Sequence, residues 1–188
     1  MVFFLAKEQT KKLLATSLKA IMLKKPLDKI TIQELTEEAH VTRNTFYYHF
    51  SDIYQLVEWI YDHEIVNGLS EYQHLRNWHK GYEMLLNYVL ANKSFCLNTS
   101  RSLGRDLLEN FLFTVASQML VGVIDEIKPT LPESLKQEII HFYGWALVAQ
   151  ITQWLKNNLN EPKEDILLRT ETMMNGAILK CVKKNQTV

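Results

Sequence analysis

Three signals for the start of a helix follow one another closely in the first third of the chain. Residues 31–34, which begin with Thr31 and end with Glu34, have the capping-box pattern of a hydroxyl and a carboxylate that accept each other's backbone N–H. Thr42 is a second candidate N-cap, and residues 52–55 form a third box. Only three positions separate Ala39, near the end of the first helix, from Arg43. A link this short forces two short helices to cross steeply, which predicts a helix-turn-helix.

Helical periodicity extends over the rest of the chain. Leu14, Leu18, Ile21 and Met22 form one apolar stripe at helical spacing. The sequence holds only 6 Gly and 4 Pro, and every proline falls between periodic stretches, which disfavours an all-β fold with its many turns. We expect an all-α fold of about nine helices. A three-helix helix-turn-helix domain is expected over residues 1–52, and a larger helical domain over residues 53–188.

The longer helices are predicted at residues 77–92, 94–101, 104–127, 132–158 and 163–183. The last three are apolar nearly all round, and a helix without a polar face must bury two sides. A chain of 188 residues has little room for three such helices, so a homodimer is expected to bury the surplus. The candidate interface residues are Ile140, Tyr143, Leu147, Ile151, Trp154, Met174 and Ile178.

The charge of the chain is unevenly distributed. The whole sequence holds 21 Lys and Arg against 21 Asp and Glu, a formal net charge of zero. Residues 1–50 contain eight basic and five acidic side chains, so their net charge is +3 and that of the remainder is −3. The small positive excess lies on the helix-turn-helix, the part that is suited to meet phosphates.

Several features indicate a cytoplasmic protein. The apolar run after Met1 ends at Lys7, too soon for a signal peptide. We expect no membrane span, because no run reaches about 18 apolar residues. Cys96 and Cys181 lie far apart among apolar neighbours and are expected to be free thiols in a reducing cytosol.

Residues 29–50 closely resemble the DNA-binding domain of the TetR family of bacterial transcriptional regulators, and the resemblance covers about residues 7–60. Residues 45–50, with the sequence TFYYHF, carry its most specific part. The resemblance implies three DNA-binding helices and a C-terminal domain for dimerisation and effector binding. The C-terminal part resembles, more loosely, the subgroup that includes the activator of dihydroxyacetone kinase operons. The implied partners are a near-palindromic operator in double-stranded DNA, a second copy of the chain, and an unknown small-molecule or protein effector.

The chemistry of the segment fits a helix in the major groove. Arg43 can contact guanine through two hydrogen bonds, and Asn44 can pair with adenine N6 and N7. The resemblance places Tyr47 and His49 at phosphate contacts, while Thr31 and Thr42 lie at helix N-termini, whose amides favour phosphates. The full set of predicted DNA-binding residues is Lys29, Thr31, Thr42, Arg43, Asn44, Thr45, Tyr47, Tyr48 and His49; the predicted core residues around them are Ile32, Leu35, Ala39, Val41, Phe46 and Phe50.

Two positions depart from the family pattern. His40 stands in the turn where the family usually has glycine, and it is tolerated at some cost if its φ is positive. Ile53 stands where the family often has a phosphate-contacting lysine, so about one phosphate contact is lost. These departures keep open an alternative, a co-regulatory interaction protein that binds a partner and has no operator of its own. A short helical hairpin without a DNA role is a further alternative.

The remaining chemistry-bearing residues give weaker signals. Residues 62–64 (Asp-His-Glu) lack the spacing of a metal site, and no phosphate loop or nucleophile motif is present, so neither a metal, nor a cofactor, nor enzymatic activity is expected. Aromatic and methionine side chains of the C-terminal part are more often core than ligand-binding. Those that are candidates for an effector pocket are Trp78, Tyr82, Phe95, Phe111, Phe113, Met119 and Trp145.

Overall fold

The computed structural model describes residues 2–65, 74–174 and 176–184, and in these ranges it contains helices and no strand. This confirms the predicted all-α fold, with ten α-helices and one 3₁₀ turn where about nine helices were expected. The elements are α1 (Val2–Met22), the 3₁₀ turn (Leu27–Lys29), α2 (Ile32–Glu38), α3 (Arg43–His49), α4 (Ile53–Ile65), α5 (Trp78–Ala91), α6 (Lys93–Ser100), α7 (Arg105–Ile127), α8 (Glu133–Lys156), α9 (Lys163–Met174) and α10 (Ala177–Lys184).

The chain forms two compact units. The first unit comprises Met1–Glu64 and Asn92–Leu108, and the second comprises Ile65–Ala91 and Glu109–Val188. These units differ from the predicted division at residues 52 and 53, because α4 and α6 belong to the same unit as the helix-turn-helix. The functional division into residues 1–52 and 53–188 stays a prediction.

The core of the first unit is built on the apolar stripe of α1. Leu14, Leu18 and Met22 are at most 3% exposed, whereas Ile21 is half-buried. Burying each of these side chains stabilises the fold by about 1.5–3 kcal/mol relative to leaving it in water. The other buried apolar residues of this unit include Leu27, Leu35, Phe46, Phe50, Ile53, Leu56, Val57, Ile60, Tyr61, Phe95 and Cys96.

Polar contacts fasten α6 and the residues after it to the loop that follows α1. The Asn98 side-chain amide donates to the backbone oxygens of Met22 at 3.1 Å and Lys25 at 2.8 Å. Asp28 accepts from the Tyr54 hydroxyl at 2.8 Å and from the backbone N–H of Leu103 at 3.1 Å. The loop that precedes the helix-turn-helix is therefore held by residues distant in sequence.

The long helices of the second unit begin and end close to their predicted bounds, with one correction. The single helix predicted over residues 163–183 is two helices, α9 and α10. Gly176 lies between them with φ +70°, a left-handed conformation that stops an α-helix. Tyr82 of α5 is buried and donates to the backbone oxygen of Leu147 on α8 at 3.1 Å.

The apolar helix α7 corrects another expectation. By length and hydropathy alone it is able to cross a membrane, contrary to the prediction that no segment qualifies. Half of its most apolar stretch is buried within the protein. Leu112, Val115 and Val123 are at most 1% exposed, so packing against neighbouring helices accounts for much of this apolar composition.

Most of the predicted interface residues are already covered within one chain. Ile140, Leu147, Ile151, Trp154, Met174 and Ile178 are at most 7% exposed, and only Tyr143 is half-buried. The sequence of a helix that is apolar all round does not indicate which side packs against the core of its own chain. In the structure, the side that carries these residues packs there. Their burial argues against their place in an interface, because they have little surface left to contribute to a partner.

Candidate nucleic-acid interface

The predicted capping box at the start of α2 is present. The Glu34 backbone N–H donates to the Thr31 hydroxyl at 3.2 Å, and the Glu34 carboxylate accepts from the Thr31 N–H at 2.9 Å. The ammonium group of Lys25 also donates to this carboxylate. The hydrogen bond from Lys25, followed by those from Thr31, lowers the pKa of Glu34 to about 2. The box fixes where α2 begins and leaves Thr31 exposed.

The turn between α2 and α3 places His40 in the left-handed region, with φ +50°. The φ of His40 is therefore positive, the condition under which a residue other than glycine was expected to be tolerated at some cost. Its backbone N–H donates to Glu37 at 3.1 Å, and the N–H of Val41 donates to Thr36 at 3.0 Å. A side chain in this conformation costs roughly 1–2 kcal/mol, which glycine avoids. The tight link nevertheless forms, as a helix-turn-helix requires.

Thr42 caps α3 as predicted. Its hydroxyl accepts from the Thr45 N–H at 3.1 Å, and the two threonine hydroxyls lie 2.9 Å apart. Phe46 and Phe50 are at most 3% exposed and fix α3 against the rest of the first unit. Of the other predicted core residues, Leu35 and Ala39 are buried, whereas Ile32 and Val41 are only half-buried.

The third predicted box, before α4, forms with one difference. The Asp52 carboxylate accepts from the Gln55 N–H at 2.9 Å, as expected. The Gln55 side chain accepts from the N–H of Ser51 at 2.6 Å, so it caps one residue earlier than the pattern indicates. Ile53 is only 8% exposed. It therefore serves the core, and the charge that the family often has there is absent.

The outer face of α3 carries the side chains that are suited to read DNA. Arg43 and Asn44 are exposed, and Tyr47 and Tyr48 are 51% and 65% exposed. The spacing of four residues aligns Arg43 with Tyr47 and Asn44 with Tyr48 along the helix. Each stripe thus begins with a side chain that can contact a base edge and ends with a phenol that can reach a phosphate.

The other predicted contacts differ in accessibility. Lys29, at the end of the 3₁₀ turn, is exposed, whereas Thr45 and His49 are half-buried. Burial, and then the nearby charges of Lys11 and Lys7, lower the pKa of His49. In the absence of DNA this disfavours the charged form of His49, whose ring N–H can still donate to a phosphate.

Sequence reasoning missed one element of this surface, the start of α1. Lys7 Nζ lies 4.8 Å from the centroid of the Tyr48 ring, and Lys11 Nζ lies 5.7 Å from that of Trp59. The spacing of four residues between the lysines shows that they share a face of α1. It does not show which element that face meets, because Tyr48 and Trp59 are distant in sequence.

The structure does not gather the predicted pocket residues around one cavity. Trp78 lines a hollow of about 320 Å³ between α5 and α9, while Phe113 lines a groove of about 470 Å³ between α7 and α8. Trp145 stacks on Phe113 at 4.7 Å between ring centroids. The others are at most 7% exposed: Tyr82, Phe111 and Met119 in the second unit and Phe95 in the first. Within the described ranges, no group of three or more His, Cys, Asp or Glu side chains could hold a metal ion.

Comparisons with known proteins agree with this geometry. The sequence model for bacterial regulatory proteins of the tetR family matches residues 15–60, and the model for the transcriptional regulator C-terminal region matches residues 76–176. A relative from Lactococcus lactis subsp. lactis (strain IL1403), the HTH-type dhaKLM operon transcriptional activator DhaS, is 28% identical over 89 residues. That alignment spans 46% of this chain and 46% of the relative, so it covers less than half of the relative's length.

A solved structure shows a similar fold over nearly the whole chain. The dihydroxyacetone kinase operon activator DhaS superposes with a TM-score of 0.69 at 22% sequence identity, covering 90% of this chain and 96% of that one. At this identity the likeness shows the fold. The two sequence models together cover both the helix-turn-helix and more than half of the chain beyond it. The chain belongs to the TetR family of bacterial transcriptional regulators.

Proposed function

We propose that the chain is a homodimeric, sequence-specific, cytoplasmic DNA-binding regulator whose α3 reads an operator from the major groove. The observation that carries this proposal is the two-sided character of α3. Phe46 and Phe50 anchor one side in the core, and the other side exposes Arg43, Asn44 and Tyr47. The polar face of α3 is exposed to solvent and is therefore available to bind DNA.

The contacts divide into two kinds. Arg43 contacts a guanine, and Asn44 an adenine, each discriminating against other bases by about 1–3 kcal/mol. Tyr47 and Tyr48 donate hydroxyls to phosphates, and these contacts position α3 without reading sequence. Thr42, Thr45 and His49 complete the proposed surface along α3, and Lys29 and Thr31 extend it to the start of α2.

A second copy of the chain covers the exposed apolar side chains of α8 and α9. Phe142 is 71% exposed, Leu168 is 65% exposed and Met173 is 73% exposed. Ala146 and Met173 also line an apolar hollow of about 220 Å³ between these helices. The interface proposed here lies on these residues. Binding in successive major grooves of a near-palindromic operator requires that the dimer hold its two α3 helices about 34–36 Å apart.

An effector or protein partner acts through the C-terminal domain. The groove beside Phe113, between α7 and α8, is the proposed place for it to bind. Binding shifts the population between arrangements that differ in their affinity for the operator. DNA affinity measured with and without a bound effector tests this part, and an unchanged affinity with every effector found would contradict it.

Footprinting of the purified protein tests the main proposal. The first duplexes to test are the DNA upstream of the gene that encodes this chain and, because of the name of the Lactococcus relative, DNA upstream of a dihydroxyacetone kinase operon. A protected, roughly palindromic site supports an operator-binding regulator. Binding that is blind to sequence and lost with added salt supports the alternative, a co-regulator without an operator, which the buried Ile53 favours.

A further inference from the structure

Two cations at the start of α1 lie close to the C-terminal half of α3. Lys7 Nζ is 4.8 Å from the ring centroid of Tyr48, a residue that is 65% exposed. The charges of Lys7 and Lys11 both act on His49, the last residue of α3. The beginning of α1 therefore adds positive charge to the edge of the surface that Asn44 and Tyr48 form.

The two lysines differ in how far their charges are compensated. Lys11 is half-buried and its Nζ lies 3.5 Å from the Glu8 carboxylate. Among the described residues, Lys7 has no carboxylate within 4.0 Å, and its side chain is exposed. The cation–π contact with the ring of Tyr48 orients the Lys7 ammonium and leaves its charge in place.

We propose that Lys7 is a DNA-backbone contact, which binds a phosphate beside the one approached by the Tyr48 hydroxyl. The inference rests on the proposed operator binding by α3 and extends that interface to α1. A lysine is a compact point charge with three donors, so it suits a phosphate without reading a base. The contact is therefore independent of sequence and partly replaces the charge that is missing at Ile53.

Lys7→Gln tests the proposal, with Lys12→Gln as the matched control. Both substitutions remove one positive charge from an exposed position of α1. Affinity for the footprinted duplex and for a scrambled duplex is measured by fluorescence anisotropy over a series of NaCl concentrations. For Lys7→Gln, the slope of log K against log salt becomes less negative by about 0.9 for each bound copy on both duplexes. Near 0.1 M salt the affinity falls about eightfold per copy by the same relation.

Two further results are expected. Lys12→Gln leaves the slope unchanged. Lys7→Arg also has the slope of the unsubstituted protein, because arginine keeps the positive charge at this position. An unchanged slope in Lys7→Gln, or an equal loss in both glutamine variants, overturns the inference and leaves operator binding by α3 intact. If the unsubstituted protein neither protects a site in footprinting nor binds any duplex in the anisotropy assay, the proposed function fails, and the inference fails with it.

Discussion

The side-chain oxygen of Asn98 accepts a hydrogen bond from the backbone N–H of Leu27 at 2.7 Å, which joins α6 to the 3₁₀ turn before the helix-turn-helix. The amide of the same side chain donates to the backbone oxygens of Met22 and Lys25. One residue of α6 thus satisfies three backbone groups that α1 and the following turn leave without helical partners. Such groups are costly when they are neither paired nor hydrated.

Asn98→Ala is expected to lower the free energy of unfolding by about 1–3 kcal/mol, because it removes all three bonds and leaves partly buried groups unpaired. Urea denaturation followed by circular dichroism gives this quantity. Asn160→Ala is the matched control, since Asn160 is exposed, and it should change stability by at most about 0.5 kcal/mol. Equal effects of the two substitutions would show that the Asn98 contacts contribute nothing specific.

His40→Gly is expected to stabilise the protein by about 0.5–1 kcal/mol. Glycine removes the cost of a side chain at φ +50°, and its greater freedom in the unfolded chain offsets part of the gain. His40→Ala is the control, because alanine keeps the Cβ that causes the strain, and it should bring no such gain. The prediction is wrong if thermal denaturation gives the glycine variant the lower stability of the two.

The pKa of Glu34, lowered on folding to about 2, predicts how its contribution depends on pH. A carboxyl whose pKa falls on folding stabilises the protein above its unfolded pKa of about 4.5, and this stabilisation is lost as the pH falls toward 2. Glu34→Gln keeps a side chain that can cap α2 and removes the charge. The variant should be less stable at pH 7, with the difference shrinking between pH 4.5 and 2.

Glu38→Gln serves as the control for this pH dependence. Glu38 is exposed at the end of α2 and takes no part in the capping box. Its substitution should leave the pH dependence of unfolding close to that of the unsubstituted protein. A difference between Glu34→Gln and the unsubstituted protein that stayed constant down to pH 2 would contradict the proposed role of the charge.

Local signals in the sequence predicted the helix-turn-helix well, because capping depends on residues three apart. Thr31 and Thr42 cap the helices that their patterns indicated. Contacts between distant residues were not predictable in this way. Asn98 meets Met22 across 76 positions, and no periodicity reports such a pairing. On α8, hydrophobicity all round the helix likewise could not separate buried Leu147 from exposed Phe142.

Phe142→Glu is expected to convert the proposed dimer into a monomer, because it replaces an apolar side chain of the proposed interface, 71% exposed in one chain, with a charge that dimerisation would bury. Analytical ultracentrifugation at micromolar concentration measures the change. Leu23→Glu is the control, since Leu23 is 68% exposed but lies in the other unit, and it should leave the dimer intact. A monomeric unsubstituted protein would refute the dimer, and a dimeric Phe142→Glu would place the interface elsewhere.

Arg43→Ala and Tyr47→Phe separate base recognition from phosphate contact. Arg43→Ala should reduce the discrimination against other bases at one operator position in each half-site by about 1–3 kcal/mol, because the bidentate contact to guanine is lost. Tyr47→Phe keeps the ring, whose centroid lies 5.6 Å from that of Phe46, and removes only the hydroxyl. It should weaken binding to every duplex by the same factor, without a change in salt dependence, because tyrosine carries no charge. Competition binding with each base substituted in turn measures both effects. If Tyr47→Phe altered base preference and Arg43→Ala weakened all duplexes alike, the two roles would have to be exchanged.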